Sequence, residues 1–269
     1  MNQNRYLSLN RNSLPEHAGK KRLRLDSLLV GRGLVASRQK AKGMIMAGLV
    51  EVDGVRLDKP GHPVSRGAQI VLKQSRPPYV SRGGQKLEAA LDHFSVEVRS
   101  LALLDVGAST GGFTDCLLQR GAAKVIAVDV GYGQLDWTLR QDPRVEVLEK
   151  TNIRYLQPEC LKTLAHAAVI DVSFISLKLV IPPVSGLLLD RAFIIALIKP
   201  QFEVGRGKVG RGGVVRDPLY HQEVIKDLTG FFEESGWEVH GVIPSPILGP
   251  KGNQEFLAYM TRQHPEDNR

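Results

Sequence analysis

The stretch "LLDVGASTGGF", Leu103 to Phe113, decides the fold. An apolar run ends in an acid and a glycine, and "GFTDCLLQRG" follows as a helix closed by Gly121. A strand, a glycine turn and a helix start, in that order, open a doubly wound α/β sheet. The same grammar continues outward. "KVIAVDVG" reads as a second strand ending in Asp129, "RVEVLEK" as a third, "AAVIDVSF" as a fourth and "AFIIALIK" as a fifth. "LYHQEVIKDLTGFFEESG" has the apolar spacing of an amphipathic helix. "WEVHGVIPS" and "QEFLAYMTR" read as two final strands joined by "PILGPKGN". The expectation is an α/β body: a seven-stranded, doubly wound, Rossmann-like sheet. Most strands are parallel, helices cover both faces, and an antiparallel pair forms one edge.

Upstream of this sheet the charge changes. Residues 1–86 hold 17 Lys and Arg against 5 Asp and Glu, whereas the rest of the 269-residue chain holds 19 against 23. That asymmetry points to a polyanion-binding end joined to an enzyme-like body. Residues 1–22 read as a basic disordered arm. Residues 23–75 read as a small α+β domain. Leu25, Leu28 and Leu29 recur at helical spacing, and Ser37 is placed to cap a second helix. "GLVEVDGVRL" gives two strands around an Asp53-Gly54 turn, and "VSRGAQIVL" gives a third. Its cations Arg24, Arg32, Arg38, Lys40 and Lys42 are candidate RNA contacts. Many cations with few aromatics suit structured RNA, read through phosphates and shape. Residues 76–84 read as a linker stiffened by Pro77-Pro78, and the body occupies residues 85–269. Cys116 and Cys160 have no metal-ligand spacing, so two free thiols and no metal are expected. The first 20 residues lack an apolar signal core, and no apolar run nears the roughly 20 residues of a membrane span. A cytoplasmic protein, off the membrane, is the expectation.

The glycine turn is specific in what it disfavours. In the dinucleotide fingerprint G-x-G-x-x-G, the second glycine lets backbone approach a pyrophosphate. Ser109 stands there, which weighs against an NAD-linked enzyme. Asp105-x-Gly107-x-Ser109-x-Gly111 fits better the loop that holds S-adenosylmethionine, a cofactor with no pyrophosphate. Asp129, at the end of the second strand, is placed to take ribose hydroxyls. Lys199 ends a seven-residue apolar run and is followed by Pro200 and "GRGKVGRGG". A lysine delivered by a buried strand can act as a base or as a fixed charge. The glycine-rich loop, with Arg206, Lys208 and Arg211, reads as an RNA-gripping lid. Phe174 either stacks on a flipped base or fills the core. Trp137 and Trp237 read as packing residues.

These segments resemble a known family. "DVGASTGGFTDCLLQRGA", "VIAVDVGYGQLDWTLRQDPRV", "VIDVSFISL" and "IKPQFEVGRGKVGRGGVVRDP" are similar to the TlyA, or hemolysin-A-like, proteins. "GLVASRQKAKGMIMAGLVEVDG" and "LDKPGHPVSRGAQI" are similar to the RNA-binding domain of ribosomal protein S4. The likeness covers about residues 23–262. It implies an FtsJ-like domain that uses S-adenosylmethionine to methylate the 2'-hydroxyl of cytidine in ribosomal RNA, with ribosomal subunits as partners. The family's Lys–Asp–Lys–Glu tetrad falls on Lys86, Asp171, Lys199 and Glu255. The implied cofactor set is Asp105, Gly107, Ala108, Ser109, Gly111, Gly112, Phe113, Asp129, Asn152 and Asp171, and Arg82 joins the RNA contacts. One departure is Tyr79 in "RPPYV", where relatives often carry tryptophan. Rival readings are a non-catalytic ribosome-assembly factor and a membrane-acting hemolysin. Monomer and dimer both remain open.

Overall fold

A computed structural model describes residues 22–73, 78–205, 207–210 and 212–262. The basic arm read over residues 1–22 lies outside them, apart from Arg22. The chain divides into two units, residues 1–76 and 77–269.

The first unit runs β1 (Arg22–Arg24), α1 (Leu25–Gly31), α2 (Arg38–Met46), β2 (Val50–Val52), β3 (Val55–Arg56), β4 (Pro63–Ser65) and β5 (Ile70–Leu72). Leu25, Leu28 and Leu29 of α1 pack on Ala41 and Ile45 of α2 and on Val50. Ser37 Oγ accepts the Lys40 N–H and starts α2. Asp53 and Gly54 both take positive φ, and the strands on either side pair antiparallel. That is the two-residue hairpin their sequence demands. "VSRGAQIVL" is not one strand. Its first part, β4, pairs with β1, and its last part, β5, pairs with β2. Arg32 explains the break, because its guanidinium takes the carbonyls of Arg66 and Ala68 between the two parts.

The second unit runs α3 (Gly83–His93), β6 (Ala102–Val106), α4 (Gly112–Gln119), β7 (Lys124–Val128), α5 (Trp137–Arg140), β8 (Val145–Leu148), β9 (Ala165–Ile170), α6 (Ile181–Ser185), β10 (Leu188–Ile198), α7 (Pro200–Glu203), α8 (Pro218–Glu234), β11 (Trp237–Pro244) and β12 (Phe256–Arg262). Seven strands form one sheet in the order β11-β12-β10-β9-β6-β7-β8. All neighbours are parallel except those of β12, which runs antiparallel to β10 and β11. The chain moves outward from β6 to β7 and β8, then returns to β9 on the other side of β6. The carboxyl ends of β6 and β9 therefore flank a topological switch point, where open α/β sheets bind ligands.

Alternation along the strands sorts the core. Leu104, Val106, Ile170 and Ile194 pack with α6 and α8 on one face. Leu103, Val169 and Ile195 pack with α3 and α4 on the other. The strand ending at Ile198 begins earlier than its apolar run suggests, at Leu188, with a register irregularity before Phe193. Residues 78–84, read as linker, are built into this unit. Tyr79 is buried and donates to Glu88 Oε1 at 2.7 Å, and Val80 N donates to Asp115 Oδ2 at 2.8 Å. Trp237 is buried as expected, but Trp137 is 69% exposed, because α5 is a single turn with only Leu139 facing inward.

Candidate active site

The glycine turn after β6 is shaped by close approach. Gly107 has φ +83°, and a Cβ there would sit 2.5 Å from the Asp171 carbonyl oxygen. Gly111 has φ +94°, and its Cβ would meet Leu139 Cδ1 at 2.3 Å. Both demand glycine. Ser109 takes φ +48° and is exposed. At the start of α4, Gly112 admits the turn of Ser81 and Gly84, which a side chain would strike. The result is a cleft of about 470 Å³ lined by Ser81, Arg82, Gly83, Lys86, Gly107–Thr110, Gly112, Phe113, Asp171, Gly249 and Pro250.

The four tetrad residues resolve into two ion pairs. Lys86 Nζ donates to Glu255 Oε2 at 2.6 Å, with Glu255 fully buried. Gly249 makes this possible, since a Cβ there would lie 2.0 Å from Glu255 Oε1. Lys199 Nζ stands 2.6 Å from Asp171 Oδ1 and donates to Ser173 Oγ at 2.8 Å. Lys86 and Asp171 line the cleft, and their partners do not. Glu255 directly precedes β12, whose antiparallel run starts at the edge where β9 and β10 end. Topology therefore gathers four charges that the sequence scatters over 170 positions.

Four of the expected cofactor contacts, Asp105, Gly111, Asp129 and Asn152, do not line this cleft. Asp105 points into the sheet face covered by α4, is fully buried, and accepts Thr114 Oγ1 at 2.6 Å. It supports the turn from below and does not line the cleft. Burial pushes its carboxyl up to about 7, the charges of Asp171 and Asp129 add to that, and the Thr114 hydrogen bond opposes it. Asp129 accepts the Ser109 N–H at 2.8 Å and the Gly131 N–H at 2.6 Å, so it shapes the turn as well as facing it. Each carboxylate oxygen keeps capacity for a further donor. Asn152 accepts the Arg154 N–H and lines a separate depression with Lys150, Tyr155 and Cys160. Ala108 and Phe113 line the cleft as expected.

The expected RNA contacts also divide. Arg24 and Arg38 both donate to Asp26, which is fully buried; Arg24 above all, then Arg38, hold its carboxyl well below the usual range. Arg32 is spent on backbone carbonyls of its own unit. Lys40, Lys42 and Arg82 are exposed. Lys208 pairs with Glu223. Arg206 and Arg211 lie outside the described residues. Phe174 is 90% exposed at φ +64°, so it does not fill the core. Sequence reading missed Ser173, Asp26 and Thr114. A polar residue two beyond a strand-end acid, or an acid set among helical leucines, was the only available signal.

Comparison with known proteins adds relatives to this geometry. Residues 79–262 match the FtsJ-like methyltransferase profile, and residues 23–70 match the S4 domain. A Mycobacterium tuberculosis protein named 16S/23S rRNA (cytidine-2'-O)-methyltransferase TlyA is 48% identical over 244 residues, covering 90% of this chain and 91% of that one. Hemolysin A of Brachyspira hyodysenteriae is 40% identical over 238 residues, covering 88% and 99%. A solved structure from Streptococcus thermophilus that carries the hemolysin name is 46% identical, with TM-score 0.69, covering 90% and 89%.

Proposed function

The chain belongs to the FtsJ-like methyltransferase family, and from that premise we propose that it methylates the 2'-hydroxyl of a cytidine in ribosomal RNA. The observation that carries the reading is the pair of buried Lys–carboxylate contacts, one member of each lining a glycine-walled cleft. The cleft fits a nucleoside cofactor. Its volume lies in the range of small-molecule sites, and the glycine turn lets backbone come close. Gly107–Ser109, Gly111–Phe113 and Asp129 would hold S-adenosylmethionine. Its sulfonium supplies an activated methyl group with a neutral leaving group.

The weak partner is the alcohol, so the chain's own groups must orient it and help its proton leave. An ammonium has three N–H donors. Lys199 gives one, to Ser173, and stands in ion-pair contact with Asp171, which leaves N–H capacity for an oxygen that gains negative charge. That arrangement supports Lys199 as a fixed charge more than as a base. Asp171 faces the cleft as the acceptor beside it. Lys86, neutralised by Glu255, places a second N–H donor in the cleft without adding net charge. Phe174, held out into solvent next to Asp171, suits stacking on a nucleotide turned out of its helix. The S4 unit supplies phosphate contacts through Arg24, Arg38, Lys40 and Lys42.

Among the described residues no helix is long and apolar enough to cross a membrane, so the hemolysin name finds no spanning helix here. The test is transfer of labelled methyl from S-adenosylmethionine to purified ribosomal subunits. Lys199→Ala is expected to lower the rate by about 10²- to 10⁴-fold with RNA binding kept. Unchanged transfer by that variant would remove Lys199 from the chemistry. RNA binding with no methyl transfer by the wild type would favour an assembly factor.

A further inference from the structure

The turn that carries Ser173 and Phe174 is tied down by a residue from a different strand's loop. Glu203 ends α7, four positions after Lys199. Its carboxylate accepts Ser176 Oγ at 2.6 Å and the Leu177 N–H at 2.9 Å. Ser176 in turn accepts the Lys178 N–H and caps the short 3-10 turn Leu177–Leu179. No cation lies within ion-pair distance of Glu203 among the described residues. Burial pushes its carboxyl up, against the pull of Ser176, Leu177 and the charge of Lys178.

The turn between Asp171 and Ser176 has two anchors. At one end the Asp171 N–H donates to the Val106 carbonyl at 2.9 Å, fixing it to the sheet. At the other stands Glu203. Between them Ser173 meets Lys199, and Phe174 holds a left-handed backbone that a bulky side chain disfavours. Its ring lies 4.9 Å from that of Phe202, the residue before Glu203. An exposed, strained turn persists only where its surroundings over-determine it.

We propose that Glu203 is a positioning residue. Through Ser176 and Leu177 it fixes the 172–175 turn, so that Ser173 meets Lys199 and Phe174 is presented outward. One carboxylate thus locks the loop after β9 to the loop after β10, across the ion pair those loops share. The inference rests on Lys199 and Asp171 being the reaction centre.

The test uses the full chain, isolated ribosomal subunits and saturating S-adenosylmethionine. Glu203→Ala is expected to lower kcat about 10- to 100-fold, the usual result of a small misplacement at a reacting centre. The Kd of S-adenosylmethionine by calorimetry is expected to change less than about threefold, because its turn follows β6. Glu203→Gln is expected to restore kcat, since its carbonyl accepts the Leu177 N–H and its amide donates to Ser176 Oγ. Ser176→Ala removes one of the two contacts and is expected to give an intermediate loss; it decides the matter if Glu203→Ala does not fold. Wild-type kcat in Glu203→Ala or Ser176→Ala would overturn the proposal. So would cofactor affinity falling in step with kcat, or Glu203→Gln as impaired as Glu203→Ala. An active Lys199→Ala would instead overturn the reaction centre itself, so the two failures are distinguishable.

Discussion

Both units bury a carboxylate against cations, with opposite consequences for the cations. In the S4 unit one acid, Asp26, is fully enclosed, while the two arginines it holds keep side-chain exposures of 54% and 58%. One negative charge organises two positive ones and leaves the excess facing water. In the FtsJ-like unit the pairing is one to one, and both lysines are themselves buried, Lys86 against a fully enclosed acid and Lys199 against a half-buried one. An outward excess attracts a polyanion over a distance. Neutral pairs in a cleft add little to attraction, but they fix donors and acceptors where charge develops. Under the proposed function the same residue types serve binding in one unit and chemistry in the other, and burial makes the difference.

The part that burial plays in that contrast can be tested by removing one member of a buried pair and one member of an exposed pair. Glu255→Ala leaves Lys86 buried and unpaired, and a cost of about 3–5 kcal/mol in unfolding free energy is expected. Glu223→Ala strips the exposed partner of Lys208 and should cost under about 1 kcal/mol. Equal losses in chemical denaturation would contradict the distinction.

A smaller effect belongs to Asp105. Its folded carboxyl lies near 7, above the ordinary unfolded value, so the folded state holds the extra proton between those two points. Stability contributed by that proton is complete at acid pH and is lost as pH rises from about 4 to 7. Asp105→Asn is expected to raise the melting temperature at pH 8 and to flatten its fall between pH 5 and 7, roughly the window of that titration. A steeper fall in the variant would show that the carboxylate is ionised in the fold.

The smallest effect sharpens the other side of the contrast. Lys40→Gln and Lys42→Gln should each reduce the salt slope of RNA binding by about 0.7–0.9 if the lysine touches one phosphate. Their kcat at saturating RNA should stay at the wild-type value. A change in kcat would tie these lysines to the chemistry.

Much of this architecture was legible because periodicity survives in the sequence. Leu103–Val106, Lys124–Val128 and Ala165–Ile170 alternate or run apolar as parallel strands must, and each ends at a residue that topology brings to one edge. The tetrad was legible only through likeness to a family, since nothing local says that Lys86 and Glu255 meet. What stayed hidden depended on tertiary partners. Arg24, Arg32 and Arg38 look alike in the sequence. One acid and two carbonyls, brought near by the β1–β4 pairing, give Arg32 a structural role and leave the other two half free. Asp105 looked like a ligand because it ends a strand. Strand alternation turns it to the α4 face, where Thr114 waits. Glu203 carried no signal at all, as its partners lie 26 and 27 residues away in a loop.

The central claim is that two buried ion pairs in a glycine-walled cleft direct methyl transfer to a ribose oxygen. The direct measurement is mass spectrometry of nucleosides digested from ribosomal RNA after incubation with the protein and S-adenosylmethionine. The account predicts 2'-O-methylcytidine as the new product, absent with Lys199→Ala and with Asp171→Ala. A methyl group on a base, or 2'-O-methylcytidine formed equally well by both variants, would contradict it.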